Sequence, residues 1–168
     1  MYYFAYGSNM LLARLRQPDR VPDARAVTTA LLSGHILKFH KRGSDGSAKC
    51  DAFETGYLSD VVHGVVFEVE ASGRNALDKV EGLGRGYSEK KAHVTSPDGS
   101  WSVYFYVAEE SHIDGSLKPY AWYKEIVLAG AMQNSLPPDY VRRIDEVEAV
   151  DDPDLRRAAR GRGLLEDR

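Results

Sequence analysis

The most constraining stretch is the opening one. Tyr2-Tyr3-Phe4-Ala5 is a short aromatic run that stops at Tyr6-Gly7-Ser8-Asn9, and Met10, Leu11, Leu12 and Leu15 follow at once. Aromatics in a short run favour a strand. Glycine permits a tight turn and close approach of other atoms to its backbone. Ser8 or Asn9 before the apolar residues is placed to cap a helix. A strand–turn–helix junction of this kind presents unpaired N–H groups at one point, which suits a carboxylate or an oxyanion. The run begins at Met1 and leaves no room for a leader, so the first strand is expected to belong to the mature fold.

At 168 residues the chain can bury a substantial core as one domain. The net charge of −3 argues against a nucleic-acid partner. No apolar stretch reaches membrane-spanning length, no signal-peptide pattern is present, and the single cysteine, Cys50, has no intrachain partner; a cytoplasmic location is expected.

Strands are expected at 26–32, 35–41, 61–69, 87–94 and 101–107. The stretch 61–69 is apolar enough for both faces to be covered, and Pro97-Asp98-Gly99 turns the last pair into a hairpin. The segment 50–58 is poorly patterned, and 43–47 reads as a turn-rich loop, either a plain connection or a cover over a site. Helices are expected from a Ser72 cap to Glu81-Gly82, from Pro119 at a first helical position through Gly130, and from Pro137-Pro138. Strands with one inserted helix, followed by helices, describe an α+β domain with a curved or closed sheet and helices outside. Residues 1–150 make the single domain; 151–168 is a charged tail or peripheral helix.

Chemistry is sparse by design of the sequence. The histidines His35, His40, His63, His93 and His112 form no metal-ligand spacing, Cys50 has no activating neighbour in sequence, and Gly7-Ser8-Asn9 is not a nucleophile elbow. Glu81 stands at a helix end before Gly82, where the dipole and enclosure by Val80 and Leu83 would favour a proton-carrying carboxyl group suited to acid–base work. Spacing alone does not select it over Glu68, Glu70, Asp78 or Glu89.

Phe4-Ala5-Tyr6-Gly7-Ser8-Asn9-Met10 resembles the Y-G-S-N signature of the γ-glutamylcyclotransferase family. His63-Gly64-Val65-Val66-Phe67 resembles its W-G-V-V-W strand, Leu77-Asp78-Lys79-Val80-Glu81-Gly82 its L-D-x-x-E-G segment, and 120–137 its C-terminal helix and following turn. The resemblance implies a small mixed β-barrel with helices around it. It implies an enzyme that cyclises a γ-glutamyl group to 5-oxoproline and releases the attached amino acid, with no metal or organic cofactor. By position, Glu81 matches the catalytic acid/base. Tyr6, Gly7, Ser8, Asn9, Met10 and Leu11 match the loop around the γ-glutamyl group, and Tyr123 matches the hydroxyl that closes the pocket. The partner is a small γ-glutamyl substrate, with a homodimer as an expected assembly. Asn9 favours the branch acting on γ-glutamyl amino acids over the glutathione (Y-G-S-L) and γ-glutamylamine (Y-G-T-L) branches. The departures are His63 and a shortened 82–87 turn, which bear on the leaving-group side of the pocket. The alternatives are a same-fold enzyme for γ-glutamylamines or a γ-glutamylated biosynthetic intermediate, and a non-catalytic domain that binds small carboxylates. They divide on whether the Glu81 carboxyl faces a cavity beside the 6–10 turn.

Overall fold

The structure is a computed structural model that describes residues 1–166. Its centre is a closed five-stranded barrel in the order β1 (Tyr2–Ala5), β5 (Val61–Glu68), β2 (Arg25–Ser33), β6 (Tyr87–Ser96), β7 (Gly99–Ala108). All pairings are antiparallel except β1 with β7, where Tyr3 meets Tyr104 and closes the barrel in mixed fashion. The short β1 is flanked by a strand on each side, which pairs its backbone, and Tyr3, Phe4 and Ala5 are all buried in the core.

The β5 strand shows why an apolar run replaces alternation. It pairs with both β1 and β2, and Val62, Val65, Val66 and Phe67 are buried on its two faces. Gly64 is required for space: a Cβ there would lie 2.3 Å from the Ala5 carbonyl oxygen and 2.7 Å from the Phe4 ring. The β6–β7 hairpin turns through Pro97-Asp98 with Ser96 opposite Gly99.

A second, two-stranded sheet stands apart from the barrel, formed by β3 (His35–Arg42) and β4 (Ala48–Glu54). β4 lies where the sequence showed no pattern. Ala48, Cys50, Asp51 and Ala52 are all buried, so no alternation of polar and apolar residues marks it. Asp51 is held there by His40 Nε2 at 2.8 Å and by the Ala108 N–H, which donates to its carboxylate at 2.8 Å.

The helices wrap this frame. α1 (Leu12–Leu15) is a single turn and α2 (Ala71–Glu81) follows β5. The expected Ser72 cap is not formed: the residue before α2 is Glu70, whose backbone carbonyl accepts the Arg74 N–H. The other end matches expectation. Gly82 takes φ 71°, and the Leu83 N–H returns to the Asp78 carbonyl at 2.9 Å, ending the helix directly after Glu81. α3 (Ala121–Gln133) starts later than Pro119 suggested, with Tyr120 as its cap residue. It is apolar on nearly all sides, which fits a helix covered by the Ser8–Met10 turn, by α4 (Pro138–Asp145) and by α5 (Leu155–Gly163). α5 is capped by the Asp154 side chain and lays Gly161 against the Trp122 indole, where a Cβ would approach to 2.4 Å. The Trp122 indole N–H and Arg157 both donate to Asp152, fastening this last helix to α3.

Candidate active site

Where β1 leaves the barrel, the chain turns sharply through Tyr6 and Gly7 into a 3₁₀ turn, Ser8–Met10, and then into α1. The Met10 N–H donates to the Gly7 carbonyl at 3.0 Å and the Leu11 N–H to Ser8 at 3.2 Å. The N–H groups of Ser8 and Asn9 have no backbone acceptor among the described residues. Gly7 sits at φ −116°, so its value here is close approach rather than left-handed geometry: a Cβ would lie 3.0 Å from Cys50 Cβ and 3.7 Å from the Tyr123 hydroxyl. Neither Ser8 nor Asn9 caps a helix through its side chain; the residue before α1 is Leu11.

The Asn9 side chain turns inward instead. Its Nδ2 donates to the Tyr3 hydroxyl and to Glu81 Oε1, each at 3.0 Å, while its Oδ1 accepts from Arg20 Nη1 at 3.0 Å. Arginine has only donors, which fixes which end of the amide faces it. Arg20 Nη1 also donates to Glu81 Oε1 at 3.0 Å. Both bonds to Glu81 land on Oε1, and Oε2 has no hydrogen-bond partner among the described residues. The Glu81 side chain is 19% exposed and lines a cleft beside Tyr6, Gly7, Ser8 and Asn9, rather than facing bulk solvent. The enclosure expected from Val80 and Leu83 is not what surrounds it. Leu83 is exposed and Val80 half-buried, and the carboxylate is held by polar partners instead.

Aromatic hydroxyls complete the cleft. Tyr123, from α3, accepts the Cys50 N–H at 3.1 Å; Tyr87 donates to the Cys50 carbonyl at 2.6 Å. Two tyrosines from different elements thus hold one residue of β4 against the turn. Tyr106 donates to Asp78 at 2.6 Å, one helical turn before Glu81. Burial pushes the hydroxyl pKa values of Tyr3, Tyr6, Tyr87 and Tyr123 above the ordinary phenol value, so these groups remain neutral donors and acceptors. Burial likewise pushes the Cys50 thiol up to about 12, which disqualifies it as a nucleophile near neutrality. Beyond Glu81 and Tyr123 the cleft widens into an outer chamber bounded by Arg14, Arg20, Lys41, Asp45, Lys49 and Trp122.

Residues 61–144 match the model of the AIG2-like family. Human gamma-glutamylcyclotransferase is 31% identical over 156 residues, covering 89% of this chain and 79% of that one, and the Bos taurus protein is 30% identical over 153 residues with the same coverage. A solved gamma-glutamyl cyclotransferase superposes with a TM-score of 0.79 at 29% identity, over 89% of both chains. The chain belongs to the AIG2-like, gamma-glutamylcyclotransferase family.

Within this family member, the structure brings Tyr6, Gly7, Ser8, Asn9, Glu81 and Tyr123 to one cleft. Met10 and Leu11 go elsewhere. Both are fully buried under α3, where a Cβ on Gly130 would lie 2.6 Å from the Leu11 nitrogen and 2.8 Å from Met10 Cβ. They anchor the turn and do not line the cleft. His63 is also away from it, packed edge-on against Tyr140 with ring centroids 4.8 Å apart, so this departure does not bear on the leaving-group side. The 82–87 turn does, through Tyr87. Sequence reasoning missed Arg20, which lies in a proline-flanked loop with no pattern to mark it, and Tyr3, Tyr87 and Tyr106. In β7, Trp101, Val103 and Phe105 alternate with Ser102, Tyr104 and Tyr106, and the two tyrosines of the second face are a signal for the last: both are buried, although Ser102 is exposed. Among the described residues no cluster of three or more His, Cys, Asp or Glu could hold a metal ion, and no helix is long and apolar enough to cross a membrane.

Proposed function

We propose that this chain is a γ-glutamylcyclotransferase that acts on γ-glutamyl amino acids, forming 5-oxoproline and releasing the amino acid. The observation that carries the reading is Glu81: one carboxylate oxygen is fixed by Asn9 and Arg20, the other has no partner among the described residues, and the residue lines a cleft beside the Tyr6–Asn9 turn. The names of the relatives support the same activity.

The substrate supplies its own nucleophile. Its α-amino nitrogen attacks the γ-carbonyl carbon, a new C–N bond closes the five-membered lactam, and the bond from that carbon to the departing nitrogen breaks. Glu81 Oε2 takes the proton that the attacking nitrogen must lose and returns it to the departing amine, so one carboxyl group serves as base and then acid. Fixing Oε1 leaves Oε2 in one orientation through both transfers. The free N–H groups of Ser8 and Asn9 are suited to the developing oxyanion. The tyrosine-lined walls shape a flexible γ-glutamyl chain toward the attacking geometry. Tyr123, braced by Cys50, closes the cleft on the side of α3.

The test is an assay for 5-oxoproline with γ-glutamyl amino acids, γ-glutamylamines and glutathione offered in parallel. Turnover restricted to the γ-glutamyl amino acids is expected. Turnover of the amines alone would move the assignment to another branch, and binding of glutamate without any turnover would favour a carboxylate-binding module.

A further inference from the structure

The outer chamber carries more positive charge than its own carboxylates match. Arg14, Arg20, Lys41 and Lys49 line it, against Asp45 and Glu81. Arg20 is matched to Glu81 at 3.0 Å and Lys49 to Asp45 at 2.7 Å. The other two cations have no carboxylate within 4.0 Å among the described residues. Arg14 donates from Nη1 to Gln17, and its Nε is buried with no hydrogen-bond partner among the described residues. Lys41 is only 7% exposed; its ammonium lies 4.4 Å above the Tyr87 ring, in space kept open by Gly86, where a Cβ would come within 3.0 Å of Nζ. Nearby Glu109 is engaged elsewhere, by the Gly86 N–H at 3.1 Å.

Burial lowers the pKa of both groups, that of Arg14 to about 10, which leaves its charge in place at neutral pH. A desolvated cation without a counter-ion is costly to the fold. Sites that tolerate such a cost are typically those where a ligand completes the charge balance. This chamber adjoins the cleft through Ser8, Glu81, Tyr87 and Tyr123. A substrate whose γ-carbonyl lies at Glu81 would therefore extend its departing portion toward Arg14 and Lys41. An ordinary α-amino acid brings one carboxylate; two unmatched cations fit two.

We infer that the outer chamber is a subsite for a dicarboxylate leaving group, an amino-dicarboxylic acid joined through its amine to the γ-glutamyl group, with Arg14 and Lys41 as the residues that select it. The inference rests on the cyclotransferase reading above, since the γ-glutamyl group must occupy the inner cleft.

The decisive comparison is γ-glutamyl-glutamate against γ-glutamyl-glutamine, whose leaving groups match in shape and differ by one charge. The expected kcat/KM ratio favours glutamate by about tenfold in the wild-type protein, the size of one charge-assisted hydrogen bond. Lys41→Gln and Arg14→Gln should each bring the ratio toward one. The ratio is taken within one preparation, so a loss of folded protein cancels. A wild-type ratio at or below one, with both peptides turned over, overturns the inference and leaves the cyclotransferase reading standing. A ratio that survives in both variants overturns the role of these residues. No 5-oxoproline from either peptide while γ-glutamyl-alanine is turned over overturns the inference alone; no 5-oxoproline from any of the three overturns the reading as an enzyme for γ-glutamyl amino acids, and the inference falls with it.

Discussion

The inner cleft and the outer chamber share a wall yet are built on opposite principles. The inner cleft is made of neutral hydroxyls, a buried amide and one matched ion pair, and its polar groups are largely satisfied by one another. Its residues come from barrel strands, from the Tyr6–Asn9 turn that leaves β1, from Cys50 on β4 and from the ends of α2 and α3. The outer chamber is made of charges, two of them unmatched, carried on α1 and the loop after it, on β3–β4, on the 43–47 turn between those strands and on Glu81 at the end of α2. That turn is ordered by its own bonds, Gly43 N–H to Ser47 and Ser47 N–H to Asp45, and it belongs to the sheet outside the barrel. The difference has a physical logic. A group common to every substrate is best met by rigid, neutral walls that cost nothing to reorganise. A variable group is best met by a surface that can change without disturbing the barrel, and a hairpin outside the closed sheet supplies one.

The strongest way to break this division is at the residue both regions share. Glu81→Gln keeps the shape and an acceptor for Asn9 and Arg20 but removes the proton carrier. Turnover of every γ-glutamyl substrate should fall about 10³-fold, the middle of the range for a general acid–base group. A uniform loss across leaving groups places the defect in the inner cleft; a loss confined to anionic leaving groups would assign Glu81 to the chamber instead.

Arg20 comes next. It lines the outer chamber but holds the inner carboxylate, and Arg20→Met leaves Asn9 Oδ1 without its donor and removes the counter-ion of Glu81, whose Oε1 keeps only the Asn9 amide. The expected cost is about 2–3 kcal/mol of stability, or roughly 5–10 °C in melting temperature. An unchanged melting temperature would show that the inner hydrogen-bond network is not what organises the turn.

How much of this division the sequence reveals follows the same line. The inner cleft is largely legible because its parts sit at punctuation: Gly7 ends a strand and Gly82 ends a helix, and both place a functional residue beside a backbone break. The barrel is legible through β5, whose apolar run and internal Gly64 announce a strand buried on both faces. β4 is not, because buried Asp51 and Cys50 interrupt any period; Asp51 is satisfied by His40 and Ala108, partners far away in sequence. Arg20 and Lys41 are illegible for a related reason. A charged residue in a loop or at a strand end reads as solvated surface, and only tertiary packing reveals that each is buried.

Cys50 tests whether the inner wall stays neutral. Its thiol is raised by burial from 9.0 to about 12. Above 9.0 the unfolded chain sheds this proton while the folded chain keeps it, so the native state loses stability as pH rises through that window. The loss attributable to Cys50 between about pH 8 and pH 10 is roughly 1.4 kcal/mol. Denaturant midpoints for the wild type and Cys50→Ala, measured at both pH values, should differ by this amount in their pH dependence, since the buried tyrosines are common to both. Parallel curves would mean that the thiol ionises as freely in the folded state as outside it.

The smallest expected effect probes the outer chamber alone. Asp45 accepts the Ser47 N–H at 3.0 Å, the Ser47 hydroxyl at 2.9 Å and the Lys49 ammonium at 2.7 Å. Asp45→Asn keeps an oxygen of the same shape for the two serine bonds, so the 43–47 turn should hold and stability should change by less than about 1 kcal/mol. What it removes is the counter-ion of Lys49, which becomes a third unmatched cation facing the chamber. KM for γ-glutamyl-glutamate should fall about threefold, a gain typical of one partly exposed charge pair, while γ-glutamyl-glutamine responds less. Raising the salt concentration should erase the gain, because the chamber opens to solvent and its charges are screened. An Asp45→Asn protein with unaltered KM for both peptides would show that the leaving group is not held by charge, and the contrast between a neutral cleft and a charged chamber would lose its functional meaning.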